Sequence, residues 1–220
     1  MKDSMLVLIT FTMAGVLRFL SHAEALSLFK KAFVRAGIKL RYSQGFNPRP
    51  RFSLPLPRSV GVIGEDDLLC AWVDEPESPF DVERLRLDLL THLPEGIEVH
   101  SVRAAPDIAF LHPESATYVF EARPGHVTAE VLAKADSLTG ATGLVLVRRN
   151  EQKGRTRSID LSDFIEDVEL DGNRIAVRSR ITDAGAVRVA EILQLLGLPP
   201  ESLASPVRRT GIQWRQRKKG

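Results

Sequence analysis

The sequence contains little cysteine and no long apolar run, and each of these shortages excludes a class of structure. Its 220 residues include one cysteine, Cys70, so an internal disulfide and a cysteine-only metal or iron–sulfur site are excluded within one chain. No apolar run approaches the roughly 20 residues that a membrane-spanning helix needs. Threonines interrupt the apolar start over residues 5–13. We therefore expect a first strand rather than a signal peptide, and a cytoplasmic protein.

Acidic residues are also missing from one long window of the chain. The net charge is only +2, yet no Asp or Glu occurs between Glu24 and Glu65. The same window carries the cations Lys30, Lys31, Arg35, Lys39, Arg41, Arg49, Arg51 and Arg58. Charge that is placed this unevenly matters more for binding than the net charge does. The window predicts a surface for anions in the first third of the chain.

The stretch 41–51, which reads RYSQGFNPRPR, lies at the centre of this window. Its Gly, Pro and Asn residues exclude the middle of a helix. Arginine binds phosphate through paired hydrogen bonds, and aromatic rings stack on unpaired bases. Gly45 and Asn47 permit turns that expose backbone N–H groups to an anion. The predicted nucleic-acid-binding residues are Arg18, His22, Arg41, Tyr42, Gln44, Phe46, Asn47, Arg49 and Arg51.

Hydrophobic periodicity predicts an α+β fold in which the first half has the order strand, helix, strand, strand, helix, strand. The first helix begins at Ser21, with Glu24 completing a capping box, and Gly37 ends it. The other predicted elements are strands 5–13, 38–42, 68–73 and 97–102 and a helix over 82–92. This order is that of the ferredoxin-like split βαβ unit, with antiparallel strands.

The same order of elements recurs in the second half. The predicted elements are strands 117–122, 144–147, 156–161, 164–170, 174–179 and 207–214, with helices 129–138 and 184–196. A polar loop is predicted over 150–155. Ala104-Ala105-Pro106 marks a boundary between the halves. We therefore predict two tandem ferredoxin-like halves, 1–105 and 106–214, followed by a basic tail over 215–220.

Five short segments of the first 65 residues form a recognisable set, and they are RFLSH (18–22), KAFVRAG (31–37), YSQGFNPRP (42–50), LPLP (54–57) and VGV (60–62). They resemble the motifs of the radical SAM-linked family, a domain of unknown function found alone or attached to radical SAM proteins. The chain departs from the family pattern at Ala23 and Glu24, where leucine and aspartate are usual. The resemblance implies a radical SAM enzyme as partner. It transfers no reaction, because the family has no established one. The cluster of a radical SAM enzyme needs three cysteines and this chain has one, so any SAM chemistry would belong to the partner.

His22, one residue past the predicted cap, is a candidate catalytic residue. A neutral imidazole there could accept a proton, and the fold-level analogy is with CRISPR-repeat-processing endoribonucleases. The alternative is a structural histidine held by backbone groups. The remaining histidines have no metal-ligand spacing, and they are His92, His100, His112 and His126.

The sequence predicts a non-catalytic or accessory protein that binds RNA through residues 41–51. Transfer or ribosomal RNA would be the target shared with a radical SAM modifying enzyme. No cofactor, metal or membrane partner is expected. Two alternatives stay open, namely a protein-docking module that binds an acidic partner without nucleic acid, and a metal-independent endoribonuclease that uses His22.

Overall fold

A computed structural model describes residues 4–74, 81–105, 109–140, 142–150, 155–183 and 185–218. These residues form an α+β protein with four α-helices and antiparallel strands, as the sequence predicts. The chain divides into two compact units. The first unit comprises Met1–Pro113 and Trp214–Gly220, and the second comprises Glu114–Gln213.

The first unit contains two helices packed on an antiparallel sheet. Its elements are β1 (Ser4–Met13), a 3-10 helix (Gly15–Phe19), α1 (His22–Arg35), β2 (Phe52–Ser53), β3 (Ile63–Asp74), α2 (Val82–Leu90) and β4 (Ile97–Ala105). β1 pairs with β3 on one side and with β4 on the other, and the two-residue strand β2 pairs with β3. The strand order is therefore β4-β1-β3-β2.

The core of this unit follows from the alternation along β1. Val7, Ile9, Phe11 and Met13 are buried on the face that α1 covers. The Phe11 and Phe29 rings meet edge to face, with 4.6 Å between their centroids. Burying each such side chain contributes roughly 1.5–3 kcal/mol. This packing fixes the position of α1 on the sheet.

The N-terminus of α1 forms the predicted capping box. The Ser21 hydroxyl accepts a hydrogen bond from the Glu24 N–H at 3.3 Å, and the Glu24 carboxylate accepts one from the Ser21 N–H at 2.8 Å. Both hydrogen bonds satisfy donors that a helix start leaves unpaired. At the other end Gly37 takes a left-handed conformation with φ of +69°, which suits glycine after a helix.

The second unit contains the other two helices. The elements from residue 109 onward are β5 (Ala109–Glu121), α3 (Ala129–Leu138), β6 (Val145–Asn150), β7 (Arg155–Asp160), β8 (Ile165–Asp171), β9 (Arg174–Thr182), β10 (Gly185–Ala186), α4 (Val189–Leu196) and β11 (Arg208–Lys218). Residues 109–113 of β5 and 214–218 of β11 belong to the first unit. Short 3-10 helices cover Ser162–Phe164 and Pro200–Ser202. β9 pairs with β5, β8 and β10, β11 is the next neighbour of β5, and β6 and β7 form a separate hairpin.

A half-buried ion pair fixes the β6–β7 hairpin to α4. The Arg148 guanidinium donates to both carboxylate oxygens of Glu191, at 2.7 Å for the Nη2–Oε2 contact, and to the Ala186 carbonyl at 2.8 Å. Burial raises the pKa of Glu191, but hydrogen bonds from Arg148 and from the Arg188 N–H outweigh it, so the pKa lies below its ordinary value. The carboxylate also caps α4, since it accepts the Arg188 N–H at 2.8 Å.

Several element boundaries differ from the predicted ones. β3 begins at Ile63 rather than at Leu68, and β5 begins at Ala109 rather than at Thr117. α4 starts at Val189 rather than at Ala184, because Gly185 and Ala186 pair with β9. β11 continues through Lys218, into residues predicted as a basic tail. The predicted strand 38–42 is reduced to isolated bridges, Leu40 with Val73 and Tyr42 with Pro50. The predicted boundary at Pro106 and most of the predicted loop 150–155 lie outside the described residues.

Candidate nucleic-acid interface

Residues 41–51 fold into a protruding hairpin, which we call the basic hairpin. The Ser43 N–H donates to the Arg49 carbonyl at 2.7 Å, and the Arg51 N–H donates to the Arg41 carbonyl at 2.7 Å. The Ser43 hydroxyl accepts a further hydrogen bond from the Arg49 N–H at 3.0 Å. The inner pair, Ser43 with Arg49, closes the turn, and we call residues 43–49 the tip of the hairpin.

The stem of the basic hairpin is joined to the sheet. The Arg41 N–H donates to the Trp72 carbonyl at 2.8 Å, and the Trp72 N–H donates to the Arg51 carbonyl at 2.9 Å. Backbone pairing to β3 on both sides of the stem fixes the direction in which the hairpin leaves the sheet. The tip is therefore presented from a rigid base.

The tip exposes the side chains that the sequence assigns to binding. Gln44, Phe46, Asn47 and Arg49 are all exposed, and the relative exposure of Phe46 is 103%. Tyr42 in the stem is 50% exposed. Gly45 has a φ of +135°, which side-chain-bearing residues rarely adopt, so the tip depends on a glycine here. Phenylalanine and arginine are among the residue types that are enriched in contact surfaces.

The other two arginines of the hairpin lie at its base and differ from Arg49. Arg41 and Arg51 are half-buried. The Arg51 guanidinium lies 4.8 Å from the centroid of the Trp72 ring, which is a cation–π contact within the protein. The predicted set of three hairpin arginines therefore separates into one exposed residue at the tip and two at the stem.

Arg18 belongs to the 3-10 helix that precedes α1. Its guanidinium donates to the Gly15 carbonyl at 2.6 Å and lies 4.2 Å from the centroid of the Phe19 ring. Phe19 is 55% exposed. The Arg18 carbonyl accepts the Gly61 N–H at 2.9 Å. The contacts of Arg18 are thus with the 3-10 helix and the segment that leads into β3.

His22 is the first residue of α1 and is half-buried. It lines a cavity of about 20 Å³ together with Ser21, Arg58 and Asp67. A cavity of that size holds about one water molecule, so it does not admit a nucleotide. An acid–base reaction at His22 would have to take place at the rim of this cavity.

Two residues that line the cavity, Arg58 and Asp67, form a buried ion pair that the sequence did not predict. The Arg58 Nε lies 3.4 Å from the Asp67 carboxylate, and the two side chains are 6% and 9% exposed. Arg58 also donates to the Arg18 carbonyl at 3.1 Å and contacts the Met13 sulfur at 2.7 Å. The pair joins β1, the 3-10 helix and β3. Its guanidinium is used inside the protein and does not belong to an anion-binding surface.

Gly64 provides the space for this pair. A Cβ atom at Gly64 would overlap the carboxylate of Asp67. One sequence signal could have found the pair, since Asp67 directly precedes a run, Leu68–Val73, that is buried on both faces. An acid at that place needs a cationic partner.

Comparison with known proteins identifies the family. The sequence profile described as "Uncharacterized protein conserved in bacteria (DUF2344)" matches residues 7–191. The chain belongs to this family. The match covers the basic hairpin, the Arg58–Asp67 pair and all four helices except the last turns of α4.

Membership in the DUF2344 family carries no activity, so the residues themselves must support the function. No curated protein matches the chain. Among solved structures, the "Crystal Structure of an Unknown Protein from Galdieria sulphuraria" is similar over 97% of this chain and 99% of that chain. The identity is 12% and the TM-score is 0.27, a likeness too low to support an argument.

The remaining histidines are dispersed over the DUF2344 fold. His92 is half-buried, His100 is exposed with its Nε2 2.8 Å from the Thr12 hydroxyl, and His112 and His126 are exposed. In the part of the chain that the structure describes, no three His, Cys, Asp or Glu side chains are grouped so that they could hold a metal. Within the same ranges, no helix is both long and apolar enough to cross a bilayer.

Proposed function

We propose that this protein binds RNA through the basic hairpin and acts as an accessory to a radical SAM enzyme that modifies that RNA. The observation that carries the proposal is Phe46, fully exposed at the hairpin tip, three residues before the exposed Arg49. Stacking of an aromatic ring on an unpaired base contributes roughly 1–3 kcal/mol per base. The Arg49 guanidinium supplies a paired hydrogen bond to phosphate.

The remaining hairpin residues have supporting roles in this proposal. Gln44 and Asn47 present amides that donate to and accept from base edges, and Tyr42 offers a second ring. Arg41 and Arg51 add positive charge at the stem, and Arg18 adds it on the 3-10 helix. Lys30 is exposed on α1 in the same unit. Such charges add affinity that falls as salt rises and carry no sequence preference.

The proposal includes two tandem ferredoxin-like halves, 1–105 and 106–214, with a basic tail over 215–220. The strand order β4-β1-β3-β2 in the first unit supports it, since the ferredoxin-like unit has this order and all its neighbours are antiparallel. The order β11-β5-β9-β8 in the second unit supports the same topology, with the β6–β7 hairpin as an insertion. Radical SAM association rests on the motif resemblance, and we place the protein in the cytoplasm with its RNA.

Fluorescence anisotropy with a labelled single-stranded RNA of mixed sequence tests the binding site. Phe46→Ala should weaken binding by about 5- to 100-fold, which corresponds to the loss of one stacked base. The matched control is Val60→Ala, which also removes an exposed apolar side chain in the first unit and should leave affinity unchanged. Equal affinity of the Phe46 variant and the wild type would contradict the proposal.

A second pair of variants tests whether RNA affinity depends on a contact at the hairpin or only on the net charge of the protein. Arg49→Ala should weaken binding and lower the slope of log affinity against log salt by about 0.7, the value for one phosphate contact on a single strand. Arg178→Ala removes an exposed arginine of β9 and is the matched control. If both variants lower the affinity equally, the binding reflects net charge and not the hairpin.

The same preparations decide between RNA binding and the two alternatives. A protein-docking module would retain its protein partner, and not RNA, in a pull-down followed by RNA sequencing and mass spectrometry. An endoribonuclease would cut the labelled RNA without metal, and His22→Ala would abolish the cut. The proposal expects intact RNA and a bound radical SAM enzyme.

A further inference from the structure

The first unit carries an open groove of about 540 Å³ that the RNA proposal does not use. It lies between α1, the 3-10 helix and the segment that follows α2. Leu17, Leu20, Leu28 and Leu93 line it and are half-buried. Ligand-binding sites in proteins have volumes of about 300–1,000 Å³ and mostly apolar linings.

The groove combines this apolar lining with positive charge. Lys31 and Arg35 line it one turn apart on α1, and both are exposed. The carboxylate of Glu24 also lines it, but it accepts hydrogen bonds from the Ser21 hydroxyl at 2.7 Å and the Ser21 N–H at 2.8 Å. These hydrogen bonds lower the pKa of Glu24, so its carboxylate stays ionised and is held at the N-terminal cap of α1. Lys31 and Arg35 lie seven and eleven residues further along the helix, so the positive charge is at the opposite end of this wall from the carboxylate.

The spacing of the α1 residues indicates the shape of the occupant. Glu24, Leu28, Lys31 and Arg35 follow one another at intervals of four, three and four residues. That spacing places the four side chains in one row along the helix, so the wall that they form is elongated. The eleven steps from Glu24 to Arg35 extend for about 16 Å. A helix of similar length fits this wall better than a compact small molecule does.

We propose that the groove binds an acidic amphipathic helix of a partner protein. Apolar side chains of that helix enter between Leu17, Leu28 and Leu93, and its carboxylates face Lys31 and Arg35. This is the helix-in-groove mode of recognition, with charge complementarity selecting the partner. The site is separate from the basic hairpin, so it does not depend on the RNA proposal.

A display library of amphipathic helical peptides of about 16 residues, selected on the full chain, tests this site. The charged positions of the library are randomised between Glu, Gln and Lys. Selected peptides should be rich in Glu beside an apolar stripe. Lys31→Gln with Arg35→Gln should weaken their binding about fivefold, since each exposed ion pair contributes modestly. Lys30→Gln, on the same helix but outside the groove, is the matched control and should leave binding unchanged.

Cross-testing separates this site from the hairpin. Phe46→Ala should bind the selected peptides as the wild type does, whereas the double Lys31/Arg35 variant should retain most of its RNA affinity. Three results would overturn the proposal: no peptide binding below about 100 µM, selected peptides that are basic, or peptide binding that the double variant does not alter. Thermal unfolding of each variant shows that the fold is kept.

Discussion

Arg49 and Arg58 stand in the same acid-free window and look alike in the sequence, yet the fold uses them in opposite ways. Arg49 is exposed at the tip of the basic hairpin, where its guanidinium can meet a ligand. The side chain of Arg58 is 6% exposed and is held by Asp67 and by the Arg18 carbonyl. The cations of this window therefore do not share one function, because a buried arginine stabilises the fold whereas an exposed arginine can bind a partner.

The largest expected effect is a difference in the free energy of unfolding between variants of these two arginines. Arg58→Met should lower the free energy of unfolding by about 3–5 kcal/mol, since it leaves the buried Asp67 carboxylate without its partner. Arg49→Met should change it by less than about 0.5 kcal/mol, as is usual for an exposed site. Urea unfolding measures both values. If both variants lost a similar free energy of unfolding, Arg49 and Arg58 would not differ in their structural role.

The space at Gly64 gives the next largest effect. Gly64→Ala should lower the free energy of unfolding by about 1–3 kcal/mol, because the added methyl group overlaps the Asp67 carboxylate and forces the ion pair to move. Gly211→Ala is the control, since a Cβ there has nothing within 4 Å. If Gly64→Ala and Gly211→Ala unfold at the same urea concentration, the added methyl group at Gly64 does not disturb the ion pair and the prediction is wrong.

Arg148 is a third case, half-buried and paired with Glu191 in the second unit. The folded-state pKa of Glu191 is lowered, so its contribution is present above its unfolded pKa of about 4.3 and is lost as pH falls through the folded value. Glu191→Gln should therefore cost roughly 1–3 kcal/mol at neutral pH, and the cost should shrink as the pH falls through the lowered pKa of Glu191 in the folded state.

Urea unfolding between neutral and acidic pH measures this dependence for the wild type and the Glu191 variant. The exposed Glu201, changed to Gln, is the control and should show a small difference at every pH. A cost of Glu191→Gln that stays constant over the whole range would show that the ion pair does not supply the stability.

Local signals predicted much of the fold. Thr128 caps α3, which spans Ala129–Leu138 as the sequence predicts, and the Ser21–Glu24 capping box starts α1. Both signals lie within one helical turn of the boundary that they set. The early start predicted for α4 was wrong because Gly185 and Ala186 are recruited by β9, a pairing partner that periodicity does not reveal.

The candidate site was predictable in composition but not in exposure. The hairpin residues were predicted as a set, and the tip residues are exposed together. Arg51, however, stacks on Trp72, which lies about twenty positions along the chain, and Arg58 pairs with Asp67 through the folding of β3. Contacts of this kind depend on tertiary packing, so a charge pattern alone cannot separate a structural arginine from a binding one.

Ultraviolet crosslinking of the full chain to single-stranded RNA, followed by mass spectrometry of tryptic peptides, tests the role of the basic hairpin most directly. Trypsin does not cut between Arg49 and Pro50, so residues 42–51 form one peptide that contains Tyr42 and Phe46. The account predicts that this peptide carries the crosslinked nucleotide and that Phe46→Ala lowers its yield. Crosslinks confined to the second unit, with the 42–51 peptide unmodified, would contradict it.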